Sequence, residues 1–247
     1  MVQGVPPNYL NPILASGVIV QYKNRFFICT AEHFTNKEGY SVGIFTGRRK
    51  GQESEIVELG EFSYIEAYNF EETPDAEDLI EVLGNPKSGE FLDLAFKEIS
   101  RPENLVQDER EFNLNSIGKI TVAAGGKILP IIDDDYEISK EEVCSFYGRI
   151  RPKFEDGILH FQEALYWNLP VTNINDHFFE LDLGEPVRDF TRFRGCSGAP
   201  IIDTRGRVIG LVTHGHKDPN KSSIFGYRLD KLKNWIEYMY FHPAVNP

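Results

Sequence analysis

Short runs of alternating or continuous apolar residues recur along the chain, and polar or turn-forming residues separate them. The runs are rich in Val, Ile, Phe and Tyr, and Gly, Pro, Asn or Asp bound many of them, as is typical of strands and their turns. The pattern predicts an all-β architecture. The candidate strands are residues 13–22, 25–29, 40–46, 56–62, 92–96, 119–123, 127–132, 143–150, 158–165, 178–183, 199–202, 208–214 and 224–229.

Two gaps between these runs carry residues that favour hairpin turns. Lys23 and Asn24 separate the first two runs, and residues 203–206 (DTRG) separate two later ones. Asn and Gly tolerate positive φ, and an Asp side chain accepts hydrogen bonds from its own backbone. We therefore expect neighbouring runs to pair as antiparallel strands.

Only the end of the chain departs from this pattern. Apolar residues recur there at steps of three and four among charged ones, which predicts an amphipathic helix. The stretch at residues 101–116 is polar and has no sustained apolar period, so it is expected to connect two halves of the chain. The apolar residues of the predicted helix are Leu229, Leu232, Trp235, Ile236 and Met239.

Composition narrows the functional classes. A chain of 247 residues with 41% hydrophobic residues is long enough for one large domain or two lobes. Its formal net charge of −12 disfavours a nucleic-acid or anionic-membrane partner. No secretory signal is recognisable at the start, and no apolar window has the length that a bilayer requires.

Three scattered cysteines, Cys29, Cys144 and Cys196, disfavour a disulfide framework. A reducing cytoplasm is the expected compartment. A mature secreted form whose signal has been removed stays open as an alternative.

The sequence RGCSGAP at residues 194–200 contains a candidate nucleophile. A serine that attacks a carbonyl needs backbone N–H groups aimed at the developing oxyanion, and Gly195 and Gly198 around Ser197 allow the tight turn that provides them. A Gly-Ser turn before a hairpin is also a common structural feature. The motif therefore needs support from elsewhere in the chain.

Two further residues give that support. His33 follows an apolar run directly, which places an imidazole at the rim of a barrel, where a base can act; a lone histidine there is more often structural. Asp93 lies inside an apolar segment, where its burial is costly unless the carboxylate is hydrogen-bonded. Accepting the N–H of His33 would satisfy it, and a strand-capping Asp is the alternative.

The three residues occur in the order His33, Asp93, Ser197, with separations of 60 and 104 residues. The segments TAEH at 30–33, DLA at 93–95 and GCSGAP at 195–200 resemble the signature blocks of trypsin-like (chymotrypsin-fold) serine peptidases. The resemblance implies two packed antiparallel six-stranded β-barrels with a C-terminal α-helix. The expected units are an N-terminal extension at 1–12, an N-terminal barrel with connecting segment at 13–116, a C-terminal barrel at 117–228, and a helix and tail at 229–247.

By this resemblance the chain is expected to be a serine endopeptidase that acts on a polypeptide substrate without a cofactor. Ser197 would be the nucleophile, His33 the general base and Asp93 the residue that orients the histidine. The N–H groups of Gly195 and Ser197 would form the oxyanion hole.

The resemblance extends to residues 210–215 (GLVTHG), which are similar to a wall of the family's specificity pocket. Thr213 would then support Asp93, and Gly215 would pair with the substrate backbone. Thr191 would lie near the pocket floor, with Phe225 and Tyr227 as lining residues. A shallow pocket for small or apolar side chains is the expectation.

An acidic preference stays open, because Arg192, Arg194 and His214 lie nearby in the sequence.

The chain also departs from parts of the family pattern. Cys196 occupies the position where zymogen-activated members carry an aspartate, and the usual Ile-Val-Gly-Gly start is missing. Phe34 stands where many extracellular members have a bridged cysteine. These differences favour the directly folding bacterial, HtrA-type or viral relatives and an intracellular setting.

The sequence leaves three other interpretations to consider. Cys196 could be a nucleophile, but it lies one residue before the serine position. His214 and His216, or the acidic residues 133–137, could bind a metal, but the first pair lacks a clear third ligand and the second lacks an EF-hand pattern, so no metal is expected. The serious alternative is a catalytically silent or latent peptide-binding module of the same fold, with an activating or regulatory protein partner.

Overall fold

The computed structural model describes strands and helices that fall into an N-terminal half, a middle section and a C-terminal half. The described residues are 2–4, 13–35, 41–46, 55–65, 92–100, 106–107, 109–114, 118–123, 125–126, 130–132, 136–155, 158–187, 193–217 and 222–241.

The N-terminal half contains two four-stranded antiparallel sheets among its described residues. The elements are β1 (Val2–Gly4), β2 (Ile13–Leu14), β3 (Val18–Tyr22), β4 (Arg25–Thr30), α1 (Glu32–Thr35), β5 (Ser41–Thr46), β6 (Glu55–Glu58), β7 (Ser63–Ile65) and β8 (Leu94–Ile99). The strand orders are β2-β1-β5-β6 and β3-β4-β8-β7. The second sheet positions two of the predicted catalytic residues, because α1, which contains His33, follows β4, and Asp93 directly precedes β8.

The middle section holds short hairpins. Its strands are β9 (Val106–Gln107), β10 (Arg110–Leu114), β11 (Gly118–Val122) and β12 (Gly125–Gly126). Strands β9 and β10 both lie in residues 101–116, the stretch predicted to connect two halves of the chain, and β10 pairs with β11 with Phe112 opposite Ile120. The unit boundary near residue 117 stays a prediction.

The C-terminal half is a closed antiparallel barrel of six strands in the order β13-β14-β15-β18-β17-β16. The strands are β13 (Val143–Glu155), β14 (Ile158–Ile174), β15 (Phe178–Asp182), β16 (Pro200–Asp203), β17 (Val208–Lys217) and β18 (Ser222–Arg228), and α2 (Leu229–Phe241) follows them. Phe146, Phe179, Leu181 and Ile201 are among the side chains that fill its interior. The predicted fold class, all-β with a C-terminal helix, is confirmed; of the two predicted six-stranded barrels, the described residues form a closed one in the C-terminal half and two four-stranded sheets in the N-terminal half.

Both predicted hairpin turns form. Lys23 and Asn24 have φ of 46° and 61°, the positive values that a two-residue turn between antiparallel strands requires. Between β16 and β17, the Asp203 carboxylate accepts the backbone N–H groups of Arg205 at 2.9 Å and Arg207 at 2.8 Å. This carboxylate therefore fixes the turn by the local bonding expected of Asp.

Helix α2 packs against the N-terminal sheet formed by β3, β4, β8 and β7. Its apolar residues Leu232, Trp235 and Ile236 lie in one buried cluster with Phe27 and Phe96 of β4 and β8. Polar contacts join the same surfaces, since the Glu237 carboxylate accepts the Tyr22 hydroxyl and pairs with Lys23. Neither of the described helices is long and apolar enough to cross a bilayer.

His177, in the turn between β14 and β15, is 1% exposed, and neither ring nitrogen has a hydrogen-bond partner among the described residues. The pKa of this imidazole is lowered to about 4, mainly by burial and also by Lys231 and Arg228, against the opposing effects of Asp176 and Asp230. His177 is therefore protonated less readily in the folded state than in the unfolded state, where its pKa is near 6.5. The contribution of this neutral imidazole to the free energy of unfolding is fully present above pH 6.5 and is lost as the pH falls toward 4.

We expect His177→Phe to reduce the acid sensitivity of folding, because it keeps a flat ring beside Tyr227 and removes the titration. The loss of unfolding free energy between pH 7 and pH 4 should be smaller in the variant by roughly 3 kcal/mol. Denaturant unfolding at both pH values measures it. The exposed His160 supplies the control, His160→Gln. An unchanged pH dependence in His177→Phe would contradict the assignment.

Candidate active site

Two paired strands bring His33 and Asp93 together. Thr30 at the end of β4 pairs with Ala95 near the start of β8, so α1 and the residue before β8 lie side by side. The Nδ1 atom of His33 is 2.8 Å from Asp93 Oδ1 and 2.9 Å from Oδ2. The backbone N–H of His33 also donates to Oδ1, at 3.0 Å.

The buried carboxylate determines the state of this histidine. A carboxylate only accepts hydrogen bonds, so Nδ1 carries the proton and Nε2 is left as the basic nitrogen. The Asp93 side chain is 4% exposed, whereas that of His33 is 51% exposed. The hydrogen bond to Asp93 raises the pKa of His33, against an opposing effect of burial. His33 therefore presents an oriented base toward solvent.

Asp93 has a φ of 50°, a left-handed conformation that Asp adopts more readily than most residues. Its carbonyl accepts the backbone N–H of Glu32 at 3.2 Å, which joins this backbone to the start of α1. Both main chain and side chain of Asp93 thus contact the segment that carries His33.

The Ser197 loop requires both of its glycines. Gly195 has a φ of 96° and Gly198 a φ of 79°. A Cβ at Gly195 would overlap the carbonyl oxygen of Arg149, and one at Gly198 would overlap the Ser16 carbonyl and the Thr30 hydroxyl. Other residues are therefore excluded by backbone conformation and by space.

Backbone hydrogen bonds fix this loop against the barrel. The N–H of Ala199 donates to the Cys196 carbonyl at 2.7 Å, and the N–H of Gly198 donates to the Val212 carbonyl at 2.7 Å. Within the described part of the chain, the backbone N–H groups of Gly195 and Ser197 donate to no residue. Two unengaged donors on one tight turn are what an oxyanion hole requires.

The loop also contacts the N-terminal sheet near the histidine. Gly198 lies against Thr30, three residues before His33, and the Ser197 carbonyl accepts the Ser16 N–H at 2.9 Å. Among the described residues, no hydrogen bond joins the Ser197 hydroxyl to the His33 imidazole. The structure thus brings the predicted nucleophile beside the segment of the predicted base, without the direct bond. Such bonds are often long in unliganded enzymes and shorten when substrate binds.

Cys196 faces the interior of the barrel. Its sulfur lies so close to Gly148 that a Cβ on that glycine would overlap it, and burial raises the pKa of the thiol to about 12. A protonated, buried thiol is a poor nucleophile. The interpretation of Cys196 as the nucleophile is therefore disfavoured.

Thr213 has other partners than the resemblance implied. Its hydroxyl donates to the Phe225 carbonyl at 3.2 Å and lies 3.0 Å from His214 Nδ1; no bond to Asp93 is present among the described residues. The His214 ring stacks on Phe225, with centroids 4.7 Å apart, and burial lowers its pKa. Nearby His216 and His33 also lower that pKa, whereas Asp93 opposes them. An aromatic wall formed by His214 and Phe225 thus lies beside the candidate site.

The remaining predicted pocket residues differ in their positions. Gly215 is exposed on β17, where a bulge separates it from Val212. Tyr227 is completely buried, and its hydroxyl accepts the Trp235 indole N–H at 3.0 Å, so it belongs to the core and does not line a pocket. Thr191 lies outside the described residues.

In the described ranges, no group of three or more His, Cys, Asp or Glu side chains is placed to hold a metal ion.

Sequence reasoning missed Ser16, which contacts the Ser197 loop through its backbone and its hydroxyl. No periodicity or motif identified it, because its contacts arise only when the two halves of the chain meet.

Comparison with known proteins finds similar solved structures, but no match to a family model or to a curated protein. Human heparin binding protein superposes with a TM-score of 0.55 at 14% identity over 100% of this chain and 92% of its own. The protein has the chymotrypsin fold.

Two further structures agree with this chymotrypsin fold. A mutant of human heparin binding protein (CAP37) gives a TM-score of 0.53 at 16% identity, over 100% of this chain and 93% of its own. A protein designated GrC gives 0.50 at 14% identity, over 98% and 93%. At these identities the likeness establishes the fold and leaves the chemistry to the residues of the site.

Proposed function

We propose that this protein is a serine endopeptidase that hydrolyses peptide bonds through an acyl-enzyme intermediate. The observation that carries the proposal is the buried Asp93 carboxylate, which accepts both the Nδ1–H and the backbone N–H of His33. This contact orients the imidazole and leaves Nε2 without a hydrogen-bond partner among the described residues, as a general base requires. The chymotrypsin fold and the glycine-flanked Ser197 support the same function.

In the proposed reaction, Ser197 Oγ attacks the carbonyl carbon of the scissile bond while His33 Nε2 takes the hydroxyl proton. Asp93 stays ionised and stabilises the imidazolium that forms. His33 then returns the proton to the amine as the C–N bond breaks. A water repeats the two steps on the acyl-enzyme, which releases the acid product and restores Ser197.

The oxyanion of each tetrahedral intermediate would be bound by the N–H groups of Gly195 and Ser197. Each such donor is worth roughly 10²- to 10³-fold in rate. The substrate would bind in an extended conformation beside Gly215, with a side chain against the wall of His214 and Phe225. We propose small or apolar residues as the accepted side chains.

A peptide-library digest tests the proposal. The wild-type protein is expected to cleave internal peptide bonds and to release fragments with new amino and carboxyl termini, which mass spectrometry identifies. A heated sample reveals a heat-stable contaminating protease, because its cleavage survives heating. A second preparation, made with a different purification tag, tests for contaminants that heating destroys. Complete absence of cleavage across the library would contradict the proposal.

The rate should depend on pH through His33. Because the hydrogen bond to Asp93 raises the pKa of His33, kcat/KM is expected to rise with pH through a midpoint above the ordinary value of about 6.5. Below that midpoint the imidazole is protonated and cannot accept the serine proton. Initial rates from pH 5 to 9 measure the profile. A flat profile from pH 5 to 8 would argue against His33 as the base.

A latent or silent peptide-binding module is the second candidate. An inactive site would lack a Ser197–His33 hydrogen bond as well, so the absence of this bond among the described residues agrees with both candidates. Such a module would bind extended peptides without turnover until a protein partner brought the two residues together. Heparin, named in two of the similar structures, is a poor ligand for a chain with a net charge of −12.

We place the activity in a reducing, cytoplasmic compartment. Support comes from Cys29, Cys144 and Cys196, which are buried and unpaired. A closer relation to bacterial, HtrA-type peptidases stays a prediction.

A further inference from the structure

Ser16, between β2 and β3, connects the N-terminal half to the nucleophile loop. Its backbone N–H donates to the Ser197 carbonyl at 2.9 Å, and its hydroxyl donates to the Gly195 carbonyl at 2.7 Å. Its own carbonyl accepts the Thr30 hydroxyl at 2.7 Å, which ties it to the end of β4. One half-buried serine thus contacts both residues whose N–H groups form the proposed oxyanion hole.

The direction of each N–H depends on the carbonyl of the same peptide, because a planar trans peptide points the two groups in opposite directions. The N–H of Gly195 belongs to the peptide whose carbonyl, on Arg194, accepts the Arg151 N–H at 3.2 Å. The N–H of Ser197 belongs to the peptide whose carbonyl, on Cys196, accepts the Ala199 N–H at 2.7 Å. Each of these two peptides is therefore held by one carbonyl bond within the C-terminal half.

The peptide between these two is held from both halves of the molecule, because its N–H, on Cys196, donates to the Phe193 carbonyl at 2.9 Å. It joins Gly195 to Cys196, and its carbonyl accepts the Ser16 hydroxyl. Glycine is the residue with the greatest backbone freedom, so rotation at Gly195 would turn the two flanking N–H groups relative to each other. The Ser16 hydroxyl restrains this rotation from the other half of the molecule.

We propose that the Ser16 hydroxyl is a positioning group for the oxyanion hole. It holds the peptide between the two donors, so that both N–H groups point at one oxygen atom. The inference rests on the proposed peptidase function and assigns Ser16 no contact with the substrate.

The test is Ser16→Ala, which removes the hydroxyl and leaves both backbone hydrogen-bonding groups of residue 16. We expect kcat to fall roughly 5- to 30-fold, the effect of losing one hydrogen bond, with little change in KM. Binding of a peptide boronate, which forms a tetrahedral adduct, should weaken by a similar factor. The pH midpoint should stay unchanged, because the His33–Asp93 pair is intact. Ser16→Thr keeps a hydroxyl and should recover most of the rate.

Ser139→Ala is the matched control, because the Ser139 hydroxyl also bonds a backbone group, the N–H of Glu141, but in a distant exposed turn. It should keep the wild-type kcat. Wild-type kcat and boronate affinity in Ser16→Ala would overturn the inference while leaving the proposed function intact. A fall in kcat that merely follows a smaller folded fraction, measured by thermal unfolding, would also overturn it. If the wild-type protein shows no turnover, the proposed function fails and the inference fails with it.

Discussion

Replacing Ser197 with alanine is expected to lower kcat by roughly 10⁴- to 10⁶-fold while leaving the free energy of unfolding nearly unchanged. The hydroxyl is the group that forms the covalent bond to the substrate. It is partly exposed and makes no hydrogen bond to a described residue, so its removal costs the folded state little. Turnover of a peptide found in the library digest and denaturant unfolding of both proteins measure the two effects.

The neighbouring Cys196 supplies the comparison for this variant. In Cys196→Ala the buried thiol is lost next to Gly148, so a small loss of stability is expected, and kcat should stay within roughly tenfold of wild type. If the Cys196 thiol is the nucleophile, Cys196→Ala should lose turnover and Ser197→Ala should keep it. Equal turnover in Ser197→Ala and wild type would exclude the serine mechanism.

Asp93→Asn should lower kcat by about 10⁴-fold at neutral pH. Asn has nearly the same shape and adopts the left-handed conformation that residue 93 requires, so the backbone is preserved. Its amide, however, can donate a hydrogen bond to Nδ1, which would place the imidazole proton on Nε2, the atom that must accept the serine proton. The charge that stabilises the imidazolium is also lost, so the pH midpoint of any residual activity should fall.

Asp203→Asn is the control for Asp93→Asn, because Asp203 is also buried and hydrogen-bonded but serves the turn between β16 and β17. It should lower the melting temperature and leave kcat of the folded protein close to wild type. If Asp93→Asn instead lowers stability and spares kcat, Asp93 is a structural residue and the proposed triad is wrong.

The sequence predicted the elements whose causes are local. The turn at Lys23 and Asn24 depends on backbone preference, and the helix that begins at Leu229 depends on apolar spacing; both formed as expected. Strands β13 and β14 extend beyond the predicted bounds, to Glu155 and Ile174, because the end of β13 pairs with β14 and the end of β14 pairs with β15.

The candidate site was predictable only in part. The motifs and their spacing predict His33 and Asp93 as partners, and the structure brings these two side chains into contact. The hydrogen bonds of Thr213 and the contacts of Ser16 depend on how separate segments pack, which residue patterns do not encode. The resemblance predicted Tyr227 as a pocket residue, but its burial and its hydrogen bond with the Trp235 indole place it in the core.

The central claim is that Ser197 is an activated nucleophile. Labelling with a fluorophosphonate tests it most directly, because the reagent reacts with a serine only where a base and an oxyanion hole assist the attack. We predict one label per wild-type molecule, located on Ser197 by peptide mass spectrometry, with labelling abolished in Ser197→Ala and strongly slowed in Asp93→Asn. An unlabelled wild-type protein, or equal labelling of wild type and Ser197→Ala, would contradict the account.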